Sequence, residues 1–185
     1  MDNGASSYRR FLDGDDSGIV EIVRDYKDGL ILYLNSYVSN IHTAEELAED
    51  TFFKLLVKKP RYVKKYSFKT WLYTIGRNVA IDYIRHSRRF SDVTVDELER
   101  ILQDEELLEK TYIKEESRIA VHRALAKLKG EYRQVLYLTF FEDFSNEQAA
   151  KVMKKSKRQV EMLVYRAKKS LKSELEKGGF TNEGL

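Results

Sequence analysis

The chain has 185 residues, of which 42% are hydrophobic and 34% charged, with one proline, three histidines and no cysteine. That length suits one domain or two small ones, and the composition suits helices around folded cores. The lack of cysteine excludes disulfides and thiolate metal sites, and His42, His86 and His122 are too dispersed for a zinc centre, so no metal or cofactor is expected.

No run of eighteen apolar residues is present, so membrane insertion is not expected. The N-terminal stretch MDNGASSYRRFLDGDD lacks the apolar core of a signal peptide, which points to a cytoplasmic protein. The net charge of +3 says little, but its distribution is informative. Residues 54–89 hold eleven lysines and arginines against Asp82 alone. Residues 92–116 hold ten acids against Arg100, Lys110 and Lys114, and residues 151–172 hold nine bases against Glu161. Two basic modules flanking an acidic connector suit a single polyanion gripped at two places.

In chain order, residues 8–16 read as a short helix and a turn through Asp13-Gly14-Asp15-Asp16. Ile19, Ile22, Val23, Tyr26, Leu30, Tyr33, Leu34 and Tyr37 trace a long amphipathic helix, interrupted by Gly29 at a cost of about 1 kcal/mol and ended near Asn40. Thr43-Ala44-Glu45-Glu46 reads as a capping box that opens the next helix, with Thr43 as the cap. That helix buries Leu47, Ala48, Thr51, Phe52, Leu55 and Leu56 and carries Glu45, Glu46, Glu49 and Asp50 on its other face. Solvation and a favourable position near a helix N-terminus are enough to account for those acids.

Pro60 breaks the helix. Arg61, Tyr62, Lys64, Lys65 and Tyr66 then form a loop in which cations alternate with aromatic rings. Such a loop suits single-stranded nucleic acid, the cations holding phosphates and the rings stacking unpaired bases at roughly 1–3 kcal/mol each. Packing of Tyr62 and Tyr66 on the adjoining helices is an equal alternative. From Phe68 to Arg89 the apolar positions Phe68, Trp71, Leu72, Ile75, Val79, Tyr83 and Ile84 recur at helical spacing. The other face carries Lys69, Arg77, Asn78, Arg85, Arg88 and Arg89, a helix fit to lie against a polyanion. Residues 90–111 thin to scattered apolar positions among acids and read as a mobile linker.

A second amphipathic pattern starts at Ser117, stops at Lys129-Gly130 and resumes through Tyr132, Val135, Leu136, Leu138 and Phe141. The run FSNEQAAKVMKKSKRQVEMLVYRAKKSLKSEL then gives two helices capped by Ser145 and Ser156 and joined by a short turn. This is a helix-turn-helix pattern, whose second helix would enter a major groove by its N-terminal half. The residues there are Ser156, Lys157, Arg158, Gln159, Glu161 and Met162, with Tyr165 and Arg166 beyond. No glycine-rich phosphate loop, nucleophile elbow or matched pair of carboxylates occurs, so enzymatic activity is not expected.

The segments AEELAEDTFFKLL (44–56), FKTWLYTIGRNVAIDYIR (68–85), ALAKLKGEYRQVLYLTFFEDFS (124–145) and RQVEMLVYRAKKSL (158–171) together resemble the extracytoplasmic-function sigma factors of bacterial RNA polymerase. The resemblance implies an all-α protein of two small helical domains. These are region 2 at 8–90 and the region 4 helix-turn-helix at 117–177, joined by an acidic flexible linker at 91–116. It implies promoter-specific transcription initiation, with core polymerase and promoter DNA as partners.

By position, Glu45, Glu46, Leu47, Glu49, Asp50 and Phe52 would dock the clamp helices of the largest polymerase subunit, and region 4 the flap of the second subunit. The loop at 61–67 and the following helix would bind the minus-10 element, the loop taking a flipped base of the non-template strand. The helix from Ser156 would read the minus-35 element. The family also raises an anti-sigma factor as a partner, on which the residues are silent. Lys154 stands where the family has a turn glycine, so family geometry would place it in a left-handed backbone costing roughly 1–2 kcal/mol. Two rivals remain at this stage: a stand-alone helix-turn-helix regulator, and an adaptor that binds polymerase but no DNA.

Overall fold

The computed structural model describes residues 3–87 and 116–178. Arg88, Arg89 and the linker of residues 91–115 lie outside the described residues, and so does the tail beyond 178. The described residues form helices and no strand.

The first module comprises α1 (Asn3–Leu12), α2 (Ser17–Val38), α3 (Ile41–Lys58) and α4 (Phe68–Ser87). Helix α1 starts five residues before the expected short helix and buries Ser7, Tyr8 and Phe11. It crosses α2 at Gly18, where an added Cβ would sit 2.1 Å from the Ser7 carbonyl oxygen and 2.9 Å from the Phe11 nitrogen. Only glycine allows the two backbones to approach so closely.

Between α2 and α3, Ser39 adopts a left-handed conformation (φ 50°) and returns its N–H to the Asn35 carbonyl. Asn40 is extended, and its side-chain oxygen accepts the Thr43 N–H at 2.8 Å. The cap of α3 is therefore Asn40 and not Thr43. The chain turns helical three residues earlier than expected because Asn40 is the better cap and Ile41, fully buried, anchors the first turn.

An aromatic cluster closes this module. Phe68 lies 5.6 Å from Tyr8, 5.8 Å from Tyr26 and 5.4 Å from Trp71, ring centre to ring centre. Tyr62 joins it edge-on to Phe68 at 5.6 Å, and the Tyr62 hydroxyl donates to the Tyr66 carbonyl at 2.6 Å. Tyr8 donates to the Pro60 carbonyl at 2.8 Å, and burial pushes its phenol up to about 12. The loop between α3 and α4 is thus tied to the core at Pro60 and Tyr62, while Arg61, Val63, Lys64 and Lys65 stay exposed.

The second module comprises α5 (Glu116–Ala126), α6 (Gly130–Leu136), α7 (Asn146–Met153) and α8 (Lys157–Lys177) around Leu125, Val135, Leu138, Ala149, Val152, Val160 and Ala167. Helix α6 runs on into a π-helical turn, Tyr137–Phe141, that the sequence pattern does not signal. Ser145 with Gln148, and Ser156 with Gln159, form reciprocal capping boxes. Lys154 takes the left-handed conformation expected of it (φ 54°).

The two modules pack against each other, α7 along α4 and α6 with its π turn across α2.

Candidate nucleic-acid interface

The exposed loop and α1 together enclose a depression of about 700 Å³ lined by Ala5, Ser6, Arg9, Tyr62, Lys64, Lys65, Tyr66 and Ser67. Two tyrosines and three cations, Arg9, Lys64 and Lys65, are among its lining residues. A flat, unpaired base on a phosphate backbone meets both requirements there. Of the two tyrosines, Tyr62 is the more committed to packing, through Phe68 and Trp71. Tyr66 is half-buried, with the Lys65 ammonium 5.8 Å and the Lys151 ammonium 4.8 Å from its ring centre. The α1 wall of this pocket, Arg9 above all, has no signal in the sequence, because it depends on where α1 crosses.

Along α4, Trp71, Leu72, Ile75 and Val79 face inward or lie half-buried, while Lys69, Arg77 and Asn78 are half-buried and Arg85 is exposed. Arg85 pairs with Asp82 at 3.1 Å. Lys69 is held by region 117–177 of the same chain: its ammonium lies 2.8 Å from a Glu142 carboxylate oxygen and donates to the Glu142 carbonyl at 2.8 Å. The Tyr73 hydroxyl donates to the same carboxylate oxygen, Glu142 Oε2, at 2.6 Å. Burial and, next to it, the Glu142 carboxylate hold the Tyr73 phenol well above its ordinary range, so it stays a neutral donor.

Arg77 lines a cleft of about 860 Å³ between the modules, with Tyr37, Ile81, Ile84 and Arg85 on one side and Gln134, Met153 and Lys154 on the other. Burial raises the Tyr37 phenol, and Arg77 draws it back.

On α8, Ser156, Lys157, Arg158, Gln159, Glu161, Met162, Tyr165 and Arg166 are all exposed. One face of them, Ser156, Arg158, Gln159, Met162 and Arg166, borders a shallow depression. The buried side of the same helix is fixed by Val160 and Ala167, so the polar face projects outward. Among the described residues, nothing of the first module covers this surface.

The acidic side of α3 is split by burial. Glu46, Glu49 and Asp50 are exposed, Glu45 is half-buried near His42 at 3.5 Å, and Leu47 and Phe52 are core residues at 3% and 5% exposure. The apolar surface beside the acids comes from Phe53, Leu56 and Val57 instead, with Phe53 at 62% exposure. Phe53 and Leu56 border a groove of about 440 Å³ between α2 and α3, with Val23, Lys27, Glu49 and Asp50.

Both modules match known families in the same order. Sigma-70 region 2 matches residues 22–90, and sigma-70 region 4 matches residues 118–171. The RNA polymerase sigma factor YlaC of Bacillus subtilis is 29% identical over 164 residues, covering 86% of this chain and 92% of that one. The ECF RNA polymerase sigma factor SigW of the same organism is 26% identical over 170 residues, covering 88% and 91%. The chain belongs to the extracytoplasmic-function sigma factors of RNA polymerase.

The fold agrees. The sigma factor RpoE of Bartonella quintana, solved with the anti-sigma factor NepR, superposes with a TM-score of 0.63 at 21% identity, covering 84% of this chain and 95% of that one. CnrH, solved with the cytosolic domain of CnrY, gives 0.61 at 23% identity, covering 94% and 95%. This sigma factor directs promoter-specific initiation: it binds core polymerase, recognises minus-35 and minus-10 elements and helps open the DNA. Its family consists of transcription regulators and not enzymes. No helix of the described residues is long and apolar enough to cross a membrane.

Proposed function

We propose that residues 8–90 of this sigma factor work as region 2 and residues 117–177 as region 4, with 91–116 as the connector, in the cytoplasm where the polymerase acts. The observation that carries the assignment is the pocket that Tyr62, Tyr66, Lys64, Lys65 and Arg9 form on the first module. In this reading a base of the non-template strand leaves the duplex and enters that pocket. Extrusion costs a few kcal/mol, which stacking and phosphate contacts together offset, so the strand is captured without ATP. Arg61, Lys69, Arg77, Asn78, Arg85, Arg88 and Arg89 hold the backbone and base edges of the minus-10 element around it.

On region 4, Lys157, Arg158, Gln159, Glu161, Met162, Tyr165 and Arg166 meet the minus-35 major groove, each well-made base contact contributing about 1–3 kcal/mol of discrimination. The groove beside α3 receives the clamp helices of the largest polymerase subunit, with Glu46, Glu49 and Asp50 giving charge complementarity and Phe53 and Leu56 giving apolar contact. The core residue Phe52 lines that groove, and Leu47 holds α3 to the core. Region 4 docks the flap of the second subunit. An anti-sigma factor is the proposed regulator, in line with the complexes in which the two structural neighbours were solved.

Reconstituted transcription with core polymerase tests the reading. The Lys64→Glu, Lys65→Glu double variant should bind core polymerase as the wild type does and fail to open promoters. Unchanged open-complex formation by that variant would remove the pocket from the mechanism. Tight duplex binding without polymerase would favour a stand-alone regulator instead.

A further inference from the structure

We propose that in the free chain region 4 acts as a clasp on region 2, with the Glu142 carboxylate occupying on Lys69 the place of a DNA phosphate. The surface that does this is the end of the π-helical turn and the start of α7, and its partner is the chain's own promoter face. The proposal rests on the assignment of that face to the minus-10 strand.

Seven residue pairs build the clasp. Glu142 receives Lys69 on both its carboxylate and its carbonyl, at 2.8 Å each. It also accepts from Tyr73 at 2.6 Å. Phe144 stacks 5.1 Å from Tyr73 and lies under the Lys69 ammonium at 5.3 Å. Lys151 sits over the Tyr66 ring, and the Gln148 amide donates to the Ser67 hydroxyl at 3.4 Å. At the far end, Arg133 donates to the Ser39 hydroxyl at 2.9 Å. The ring, hydroxyl and ammonium engaged here (Tyr66, Ser67 and Lys69) are groups that a single strand would need.

Two features show that the contact is specific. Gly29 lies in the middle of α2, where glycine weakens a helix. An added Cβ there would meet Glu142 Oε1 at 2.3 Å and the Tyr73 hydroxyl at 2.7 Å, so the missing side chain makes room for the carboxylate. Glu142 is also aimed by unusual backbone. Its N–H bonds to the Tyr137 carbonyl across the π turn, and Asp143 follows in a left-handed conformation (φ 55°). Such π turns recur at functional sites because they re-aim the residue that follows them.

The clasp is also asymmetric. It leaves every minus-35 residue of α8 exposed and leaves Arg61, Lys64 and Lys65 open, while it takes Lys69 and one side of Tyr66. A free sigma factor in this state would present its duplex-reading helix and withhold part of its strand-capturing face. The interface is polar and incompletely paired: Arg133 Nε, buried there, has no hydrogen-bond partner. Such a contact can give way to a partner that offers phosphates and a better match.

The chain has no cysteine, so Asp25→Cys and Lys169→Cys can carry spin labels on α2 and α8. The full-length chain should give one short, narrow distance distribution. Gly29→Ala and Glu142→Ala, each made separately, should broaden and lengthen it. Both should bind a fluorescent twelve-nucleotide oligo-dT strand about tenfold more tightly, as expected when nine-tenths of the wild-type chain is closed. Gly29→Ala adds no charge, so tighter binding by it cannot come from electrostatics alone. Should it fail to fold, Glu142→Ala carries the test.

Unchanged distances in both variants overturn the clasp. Altered distances with unchanged affinity overturn its role in withholding the strand face. Adding Lys64→Glu and Lys65→Glu to the open variants separates the two readings. Lost binding supports both, and retained binding overturns the strand assignment while the distances still report on the clasp.

Discussion

Phe53→Ala tests the polymerase groove most directly. Phe53 is 62% exposed in the free chain, and a phenylalanine buries roughly 150–250 Å² when fully covered. Docking on that face would therefore cover a further ~120 Å² of Phe53. At about 25 cal/mol per Å², and allowing for what alanine keeps, the truncation should cost about 2–3 kcal/mol of association, roughly a 30- to 150-fold weaker Kd. The part of the ring already packed in the free chain is the smaller share, so the fold should lose only about 1 kcal/mol and Tm should fall by roughly 2–4 °C. Interferometry of immobilised core polymerase against the two proteins, with circular dichroism as the folding control, gives both quantities. Tyr165→Ala is the matched control, because Tyr165 is an equally exposed aromatic at 68% on the promoter face of α8. Core affinity within threefold of wild type for Phe53→Ala, or an equal loss for Tyr165→Ala, would refute the reasoning.

Three further outcomes follow from the fold. Lys154→Gly should stabilise the chain by about 0.5–1 kcal/mol, since it relieves a left-handed cost of about 1–2 kcal/mol and adds back part of it as unfolded-state entropy; urea titration measures this, and no gain would mean the turn is unstrained. Gly18→Ala should destabilise by about 1–3 kcal/mol, because its Cβ would meet backbone and not a movable side chain; a variant melting at the wild-type temperature would contradict the tight crossing of α1. Glu21 is held below its ordinary carboxyl value of 4.5 by the Ser7 hydroxyl first and by Arg10 next. A depressed folded value means that its stabilising contribution is complete above about pH 4.5 and is lost as the pH falls through the lower folded value. Amide exchange in α1 should therefore speed up below that pH in the wild type, whereas in Glu21→Gln this part of the pH dependence should vanish; identical pH profiles would refute the role.

What the sequence discloses, and what it hides, follows from the range of the interactions. The periodicity of Phe68, Leu72, Ile75 and Val79 marks one face of α4 as buried, and the structure places these residues inward or half-buried. Ser145 and Ser156 cap as read, since a capping box needs only four consecutive residues. Local signals fail where two candidates compete over one turn, as Asn40 does with Thr43. They fail again on α3 at one position: Leu47 and Phe52 are core residues as read, but Leu56, read as buried, is exposed beside Phe53. A spacing of three or four residues identifies a helix, but a one-residue rotation decides which apolar side chains remain outside. The wall that α1 supplies through Arg9 and the grip of Glu142 on Lys69 are tertiary events between residues 53 to 73 positions apart. Gly29 was the one visible trace of the second, an unfavourable residue in a strong helix whose reason lies in the other module.

The chemistry chosen for that grip bears on its purpose. A hydrophobic pair at positions 69 and 142 would hold the modules together as well as an ion pair, because a buried charge pair gains little over apolar packing once desolvation is counted. What the ion pair adds is exchangeability. Lys69 released from Glu142 returns to water unless another anion takes the place of the carboxylate, and a phosphate of the minus-10 strand can do so. Glu142 and Tyr73, which lie on different modules, part on opening and turn to water. Opening therefore costs little where DNA is already in place and more where it is absent. A clasp closed by apolar contact alone would not make that distinction.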